Sequence, residues 1–318
     1  MPARRSIPLL SALALAAVTL SGCAAPTAAE ADGVTVDTVI GEVTVPENVD
    51  SVVVLEGRRD LDIVLSLDLP LVGFPYEGPD SGLDLEAPLA SATSAAMDDG
   101  ASEMFLADEI NLEAIAEAAP SLIVGRIDDV EPILDELRAI APVIPVSSHS
   151  DGVGWQDDLT LVAEATGTQA KAVELIAEYD ARVAEIADTY AEQIASTVVV
   201  PASYDVDNVA VQGTRLQSSI LIEVGAQPSA AFTESLEADD AVDFSPEQTF
   251  EALKDADAIL AMANGAENWD ALQADPLWQQ LPAVQAGNVV RTDKMTHEGA
   301  QITAMHVLDL IEQLYQTV

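Results

Sequence analysis

Positively charged side chains are scarce in this sequence, and their positions point to one kind of binding chemistry. The 318 residues contain 12 Lys and Arg against 55 Asp and Glu. Some of these basic residues stand at or just beyond the ends of short apolar runs, or in the turn before a helix. They are Arg58, Arg59, Arg126, Arg215, Arg291 and Lys294. Cationic groups gathered at one edge of a sheet are typical of sites for ligands with acidic or chelating oxygens.

Aromatic residues are also few, at 4% of the sequence, and several occupy comparable loop positions. These are Phe74, Tyr76, Trp155, Tyr204 and Trp269. Each one alone is as consistent with packing under a loop as with lining a cleft. Taken with the basic residues, they predict a site for a large ligand with acidic and aromatic or chelating groups.

The sequence lacks the motifs that mark the common enzyme classes. It has no G-x-S-x-G nucleophile elbow, no H-E-x-x-H zinc motif and no phosphate-binding G-x-x-x-x-G-K-[ST] loop. His297 lies in a loop, where a structural and a ligand-contacting role are both open. We therefore predict that the protein is not an enzyme and binds no metal directly. An anchored cell-envelope hydrolase stays as the alternative from a different class.

Short apolar strands alternate with helical patterns in both halves of the sequence. This alternation predicts parallel sheets with crossover helices. Between the halves, Ile176, Tyr179, Val183, Ile186 and Tyr190 follow the spacing of one helix face, and we expect an uninterrupted helix from Thr168 to about Ile194.

The predicted fold class is therefore α/β, with two Rossmann-like lobes joined by a single long connecting α-helix. We expect an amino-terminal lobe over residues 43–154, a connecting helical segment over 155–195 and a carboxy-terminal lobe over 196–318.

The first 23 residues have the layout of a secretory signal, with Arg4 and Arg5 before an apolar run that ends at Leu-Ser-Gly-Cys. That ending resembles a bacterial lipobox, in which Cys23, the only cysteine, becomes the lipid-modified first residue. Residues 24–42 are expected to be a flexible tether. The protein is then lipid-anchored on the extracytoplasmic face of the cell membrane. Its acid excess makes nucleic acid and anionic membrane surfaces poor partners.

Several stretches resemble bacterial substrate-binding proteins that serve ABC importers of ferric siderophores, haem and vitamin B12, which have the class III periplasmic-binding-protein fold. They include GEVTVPENVDSVVVL (41–55), INLEAIAEAAPSLIVG (110–125), FSPEQTFEALKDADAIL (244–260) and LPAVQAGNVVRTD (281–293). Ser121 stands where this family usually has aspartate. The resemblance implies a bilobal fold, a ligand held between the lobes and docking onto a transmembrane permease.

The resemblance also implies the function and the partner contacts. In the similar vitamin B12 binder, one surface glutamate per lobe meets permease arginines, and the matching positions are Glu113 and Glu247. The expected function is capture of an Fe(III)-siderophore by a monomer, with Arg58, Arg59, Arg126 and Arg215 as the first choices for contacts. Haem, with Tyr76, Tyr204 or His297 as axial ligand, and cobalamin are the alternatives.

Overall fold

The first element of the structure is a two-stranded hairpin. The computed structural model describes residues 33–78, 81–148, 154–205 and 207–318. Strands β1 (Gly33–Thr38) and β2 (Gly41–Pro46) pair antiparallel, and Val36, Val43 and Val45 are buried. The expectation of a tether through residue 42 is therefore wrong for residues 33–42. The alternation of valine with polar residues gives this hairpin one apolar face, and the hairpin packs against the helix over Trp155–Thr166.

The amino-terminal lobe is built on a five-stranded parallel sheet with the strand order β5-β4-β3-β6-β7. Its strands are β3 (Val52–Val54), β4 (Leu71–Tyr76), β5 (Ser102–Leu106), β6 (Leu122–Arg126) and β7 (Val143–Val146). Val52 and Val54 face one core cluster while Val53 faces another. Both faces of the sheet are therefore buried, which explains why its strands are continuous apolar runs.

Short helices cover both faces of this sheet. They are α1 (Arg59–Ser66), α2 (Ala90–Asp98), α3 (Leu112–Ala118), α4 (Ile127–Val130), α5 (Leu134–Arg138) and a 3₁₀ turn at Glu131–Ile133. Helix α1 follows the central strand β3 directly and is almost wholly buried.

Three helices follow the first sheet: α6 (Trp155–Thr166), α7 (Gln169–Thr189) and α8 (Ala191–Ser196). The prediction of an uninterrupted helix to about Ile194 is wrong, because α7 ends at Thr189. The backbone of Tyr190 leaves the helical region, and its ring stacks on Tyr315 at a centroid distance of 6.4 Å.

The carboxy-terminal lobe contains a six-stranded mixed sheet. Its strands are β8 (Val198–Asp205), β9 (Asn208–Gln212), β10 (Gln227–Pro228), β11 (Ala241–Phe244), β12 (Ala258–Ala263) and β13 (Val289–Thr292). The order is β11-β9-β8-β12-β13, and β10 also pairs with β8. Strands β8, β12 and β13 are parallel, whereas β9 is antiparallel to both β8 and β11. Strand β11 therefore runs in the same direction as β8.

Further helices surround this sheet. They are α9 (Leu216–Glu223), α10 (Ala230–Ala238), α11 (Thr249–Leu253), α12 (Gly265–Ala274), α13 (Pro282–Ala286) and α14 (Gln301–Gln316), with 3₁₀ turns at Pro246–Gln248, Trp278–Gln280 and Lys294–Thr296. Helix α14 packs against α7, α9 and α1, so it touches both lobes. The segment from Asp32 to Val318 is one compact unit, and one apolar core cluster runs through both lobes. Within the described parts of the chain, none of the helices has the length and apolar character needed to cross a bilayer.

Candidate functional site

A crevice lies where the loops at the carboxyl ends of the two sheets meet. Arg291, the last residue but one of β13, donates to Asp84 of the amino-terminal lobe at 2.9 and 2.6 Å. The backbones of Gly265 and Gly82 also lie close together here, since a Cβ on Gly265 would lie 2.6 Å from the carbonyl oxygen of Gly82. Gly265 has φ +79°, so glycine is required at this position for two reasons. In open α/β sheets this edge is where ligands bind.

The loop between β3 and α1 forms the floor of the crevice and is organised by one buried carboxylate. Asp60 is fully buried and accepts hydrogen bonds from four backbone N–H groups, at 2.7 to 2.9 Å. Burial raises the pKa of Asp60, and those N–H groups oppose the rise. Gly57 turns the chain here with φ +88°, close against Pro75. The fixed loop sets the positions of Arg58 and Glu56.

Two of the predicted arginines meet above this floor and are already paired with carboxylates. Arg58 lies 3.2 Å from Glu56 and 3.6 Å from Glu77. Arg126, at the end of β6, lies 3.6 Å from Glu56 and 3.1 Å from Asp129. The amino-terminal side of the crevice therefore alternates in charge, because each of these two arginines is paired with carboxylates.

The carboxy-terminal lobe extends this alternation. Lys294 Nζ lies 2.8 Å from Glu77 Oε2, and Arg126 Nη1 lies 3.6 Å from Glu298 Oε2. We call this set the crevice network; in order of contact its members are Lys294, Glu77, Arg58, Glu56, Arg126 and Glu298. It starts and ends in the carboxy-terminal lobe and passes through the amino-terminal lobe. It therefore holds the lobes together at the ligand edge.

Burial controls the protonation of this network. The side chain of Glu56 is 6% exposed. Burial, with the carboxylates of Asp60 and Glu298, raises its pKa to about 8 against the opposing effect of Arg58 and Arg126. Burial alone would lower the pKa of Arg126, but the carboxylates around it outweigh that effect and raise it.

Arg59 does not point into the network with Arg58. It is 5% exposed, and its Nη1 donates to Asp158 of α6 at 3.0 Å. Asp158 also accepts from the backbone and hydroxyl of Ser147. Arg59 therefore ties α1 to α6. It also borders a cavity, and its role as a ligand contact stays a prediction. Two adjacent side chains at the start of a helix point in different directions, so only one of them reaches the crevice network.

Arg215 differs from the other crevice cations. It stands just before α9, and its guanidinium donates to Gln212 at 2.6 Å, to Ser203 at 3.0 Å and to the sulfur of Met262. Among the described residues, no carboxylate lies within ion-pair distance of it. Burial lowers the pKa of Arg215, yet a guanidinium stays protonated at neutral pH. The next residue, Leu216, donates its N–H to the carbonyl of His297, beside Glu298 of the network.

The predicted aromatic residues divide into packing and lining positions. Trp155 is 3% exposed and packs edge-on against Tyr179 at a centroid distance of 5.1 Å, and Phe74 is 4% exposed. Both are mainly core residues, although each borders a cavity. Tyr76 and Tyr204 are half-buried at strand ends, and Trp269 lies under the guanidinium of Arg291.

Two cavities open along the crevice. One of about 260 Å³ lies between α6 and the β9–α9 loop and is bordered by Arg59, Trp155, Thr214 and Leu216. The other, of about 190 Å³, is bordered by Phe74, Tyr76, Glu77 and Met295. His297 is half-buried between these regions and touches α9 through its backbone. Within the residues that the structure describes, no group of three or more His, Cys, Asp or Glu is arranged to hold a metal ion.

A buried carboxylate makes a contact between the lobes that the sequence did not predict. Asp62 of α1 is fully buried, and its carboxylate accepts from the backbone N–H groups of Ala300, Ile302 and Thr303 at 2.8 to 3.0 Å. It thus caps α14 from the other lobe. The available signal was an aspartate on the apolar face of a short helix, four residues before Ser66, which donates to it.

The two predicted docking glutamates are both exposed. Glu113 lies in the first turn of α3, which Asn111 caps, and Glu247 lies in the 3₁₀ turn that Ser245 begins. They follow β5 and β11, the edge strands of their sheets, on the same side as the crevice. The predicted lipidation site, Cys23, lies outside the described residues.

Comparison with known proteins gives concordant matches. A family model described as "Periplasmic binding protein" matches residues 103–296. A probable siderophore-binding lipoprotein of Bacillus subtilis, YfiY, is 30% identical over 68% of this chain and 69% of its own length.

Solved structures agree with these sequence matches. The siderophore periplasmic binding protein from the fuscachelin gene cluster of Thermobifida fusca is 28% identical, with a TM-score of 0.68 over 85% of this chain and 98% of that one. Staphylococcus aureus SirA, crystallised with staphyloferrin B, is 19% identical and shares the fold, with a TM-score of 0.72 over 89% of this chain and 97% of that one.

Proposed function

The chain belongs to the periplasmic binding protein family, and on that premise we propose that it captures a ferric siderophore outside the cytoplasmic membrane and delivers it to an ABC importer. Members of this family bind substrates and are not enzymes. The protein then contributes selectivity and local concentration, and no bond is made or broken. Two relatives, of 28% and 30% identity, are named as siderophore-binding proteins. Their names favour a ferric siderophore over haem or cobalamin as the ligand of this chain.

The observation that carries the proposal is the position of Arg215. It is a half-buried cation without a carboxylate partner among the described residues, and it stands between Thr214 and Leu216, which border the larger crevice cavity. Its present partners are neutral atoms of Gln212, Ser203 and Met262. A chelate oxygen that replaces one of them gains a charge-assisted hydrogen bond. The aromatic edges of Tyr76 and Trp155 border the two cavities and supply apolar contact.

A titration followed by tryptophan fluorescence tests this function. Trp155 borders the larger cavity, so we expect a bound ferric siderophore to quench its emission, and we expect haem and cobalamin to have a weaker effect. Arg215→Gln should weaken the binding by roughly tenfold to a hundredfold, because a charge-assisted hydrogen bond is worth about 1.5–3 kcal/mol. Arg138→Gln is the matched control, since Arg138 is exposed and bonds only to the carbonyl of Ile40. Absence of quenching and of thermal stabilisation by every ferric siderophore would refute the proposal.

We further propose that Glu113 and Glu247 meet basic residues of the permease. Support comes from their exposure in the turns of helix that follow the edge strands β5 and β11, on the crevice side. Reversing both charges, with Glu113→Lys and Glu247→Lys, should abolish uptake and leave siderophore affinity unchanged. Normal uptake by the double variant would exclude this assignment.

The location proposed for the protein is the extracytoplasmic face of the membrane, with Cys23 as the lipidated residue. Several related proteins carry the word lipoprotein or periplasmic in their names, which supports an extracytoplasmic site. Cys23→Ser should release the protein into the medium. Retention of that variant in the membrane fraction would contradict the anchor.

A further inference from the structure

We propose, on the premise of the siderophore-binding function, that the crevice selects ferric chelates that are neutral or carry a single negative charge and discriminates against trianionic ferric tris-catecholates. The proposal rests on how the crevice cations are already neutralised. It concerns the class of chelate, which neither the family nor the names of its relatives decide for this chain.

Most of the cations at the crevice already have carboxylate partners. Arg59 pairs with Asp158, and Arg291 forms a two-bond contact with Asp84. The three cations of the crevice network, Lys294, Arg58 and Arg126, alternate with Glu77, Glu56 and Glu298. A chelate that approaches this region therefore comes near carboxylates as well as near basic side chains.

The charges of the crevice network sum to a small value. Asp129 adds a further carboxylate beside Arg126, at 3.1 Å. The network together with Asp129 is therefore neutral when Glu56 holds a proton and carries one negative charge when Glu56 is ionised. At the crevice, Arg215 then contributes the single positive charge that lacks a carboxylate partner among the described residues.

This arrangement matches a ligand of low charge. A neutral ferric trihydroxamate presents carbonyl and hydroxamate oxygens that one guanidinium can bind, and a monoanionic chelate is balanced by Arg215. A trianion brings two further negative charges close to Glu77 and Glu298, and like charges in a partly buried site repel strongly. The protein as a whole adds to this repulsion, with 55 acidic and 12 basic residues.

The test is a comparison of dissociation constants on the wild-type protein. A neutral ferric trihydroxamate, a monoanionic ferric chelate and the trianionic ferric tris-catecholate are titrated separately by fluorescence quenching at pH 7 and low salt. We expect the trianion to bind at least tenfold more weakly than the better of the other two. Equal or tighter binding of the trianion would overturn the charge selection and leave the siderophore-binding function standing. Failure of all three to bind would overturn the function, and this inference with it.

A variant tests the cause of the selection. Glu77→Gln leaves Lys294 and Arg58 without that carboxylate, and the side chain of Glu77 is 27% exposed, so the change is tolerated by the fold. The ratio of the two dissociation constants, trianion over neutral chelate, should fall by about tenfold. Glu117→Gln removes the same charge from the exposed face of α3, and its ratio should equal that of the wild type. An unchanged ratio in Glu77→Gln would refute the role of the network in selection.

Discussion

Two regions join the lobes of this protein, and they use different chemistry. At the start of α14, the buried carboxylate of Asp62 accepts three backbone N–H groups from the opposite lobe. At the ligand edge, side-chain ion pairs cross between the lobes, and the side chains of Lys294 and Glu77 in one such pair are both 27% exposed. The first contact excludes water, whereas the second is reached by solvent.

The difference separates a permanent contact from one that ligands can change. Breaking the Asp62 contact leaves the first N–H groups of α14 without their acceptor and a buried carboxylate with Ser66 as its remaining donor, which is costly. Breaking a partly exposed ion pair costs little, since water solvates both groups. We therefore expect Asp62 to fix the relative position of the lobes and the crevice network to adjust to the bound chelate.

The largest expected effect is on the Asp62 contact. Asp62→Ala should lower the free energy of unfolding by about 4 kcal/mol, because three buried N–H groups at the start of α14 lose their acceptor. Urea denaturation followed by circular dichroism measures this. Asp188→Ala is the control, since Asp188 is exposed on α7, and it should change stability by less than about 0.5 kcal/mol. If Asp62→Ala lowered the free energy of unfolding by less than about 1 kcal/mol, Asp62 would not be the permanent contact between the lobes.

A second effect appears as the pH rises, and it comes from Glu56. Its pKa is about 8 in the folded protein against an ordinary value of 4.5, so the folded state binds more protons than the unfolded state between these values. The free energy of unfolding should therefore fall as the pH rises through this interval. Asp60, Glu298, Arg58 and Arg126 are the charged groups that surround it.

Glu56→Gln removes this titration. Its stability relative to wild type should rise by up to about 4 kcal/mol between about pH 5 and pH 9, since the variant has no charge to bury. For the control Glu117→Gln, the difference in free energy of unfolding from wild type should stay constant over the same pH range. Parallel pH curves for Glu56→Gln and wild type would show that Glu56 does not titrate in this way.

A smaller effect is expected for the two-bond contact between Arg291 and Asp84. Arg291→Gln should cost about 1 kcal/mol at pH 7, since the Arg291 side chain is 13% exposed and also lies over Trp269. Arg291 lowers the pKa of Asp84, so this part of the stability is present above the ordinary pKa of an aspartate and is lost as the pH falls. Denaturation at neutral and acidic pH tests both points. If Arg291→Gln lowered the free energy of unfolding equally at both pH values, the ion pair with Asp84 would not be the source of the loss.

The smallest effect is expected at Lys294. Lys294→Gln should change stability by no more than about 0.5 kcal/mol, and the change should vanish at about 1 M salt, because both side chains of the pair with Glu77 are partly exposed. A loss of stability above about 1 kcal/mol that does not depend on salt would show that the Lys294–Glu77 pair is a permanent contact like that of Asp62.

The sequence predicted where the crevice lies but not how its charges are arranged. Arg58 and Arg126 do stand at the carboxyl ends of β3 and β6, as the strand ends indicated. Arg215 follows the antiparallel strand β9, and its side chain reaches back to Ser203 and Met262 near the carboxyl ends of β8 and β12. Glu56, Glu77 and Glu298, which pair with Arg58 and Arg126, could not be chosen from among 55 acidic residues, because the pairing depends on which loops meet across the crevice.

Local pattern by itself determined most strands of the two main sheets, many of the covering helices and the caps at Asn111 and Ser245, since these depend on neighbours within a few residues. Only the tertiary structure decided which of two adjacent arginines reaches the crevice network. Asp158 lies 99 residues after Arg59, and it holds that side chain in the interior, while Arg58 is left beside Glu56 and Glu77. The same holds for Asp62, whose partners lie more than 230 residues away. Burial and contacts between distant segments are properties of the folded chain, and residue type and spacing do not encode them individually.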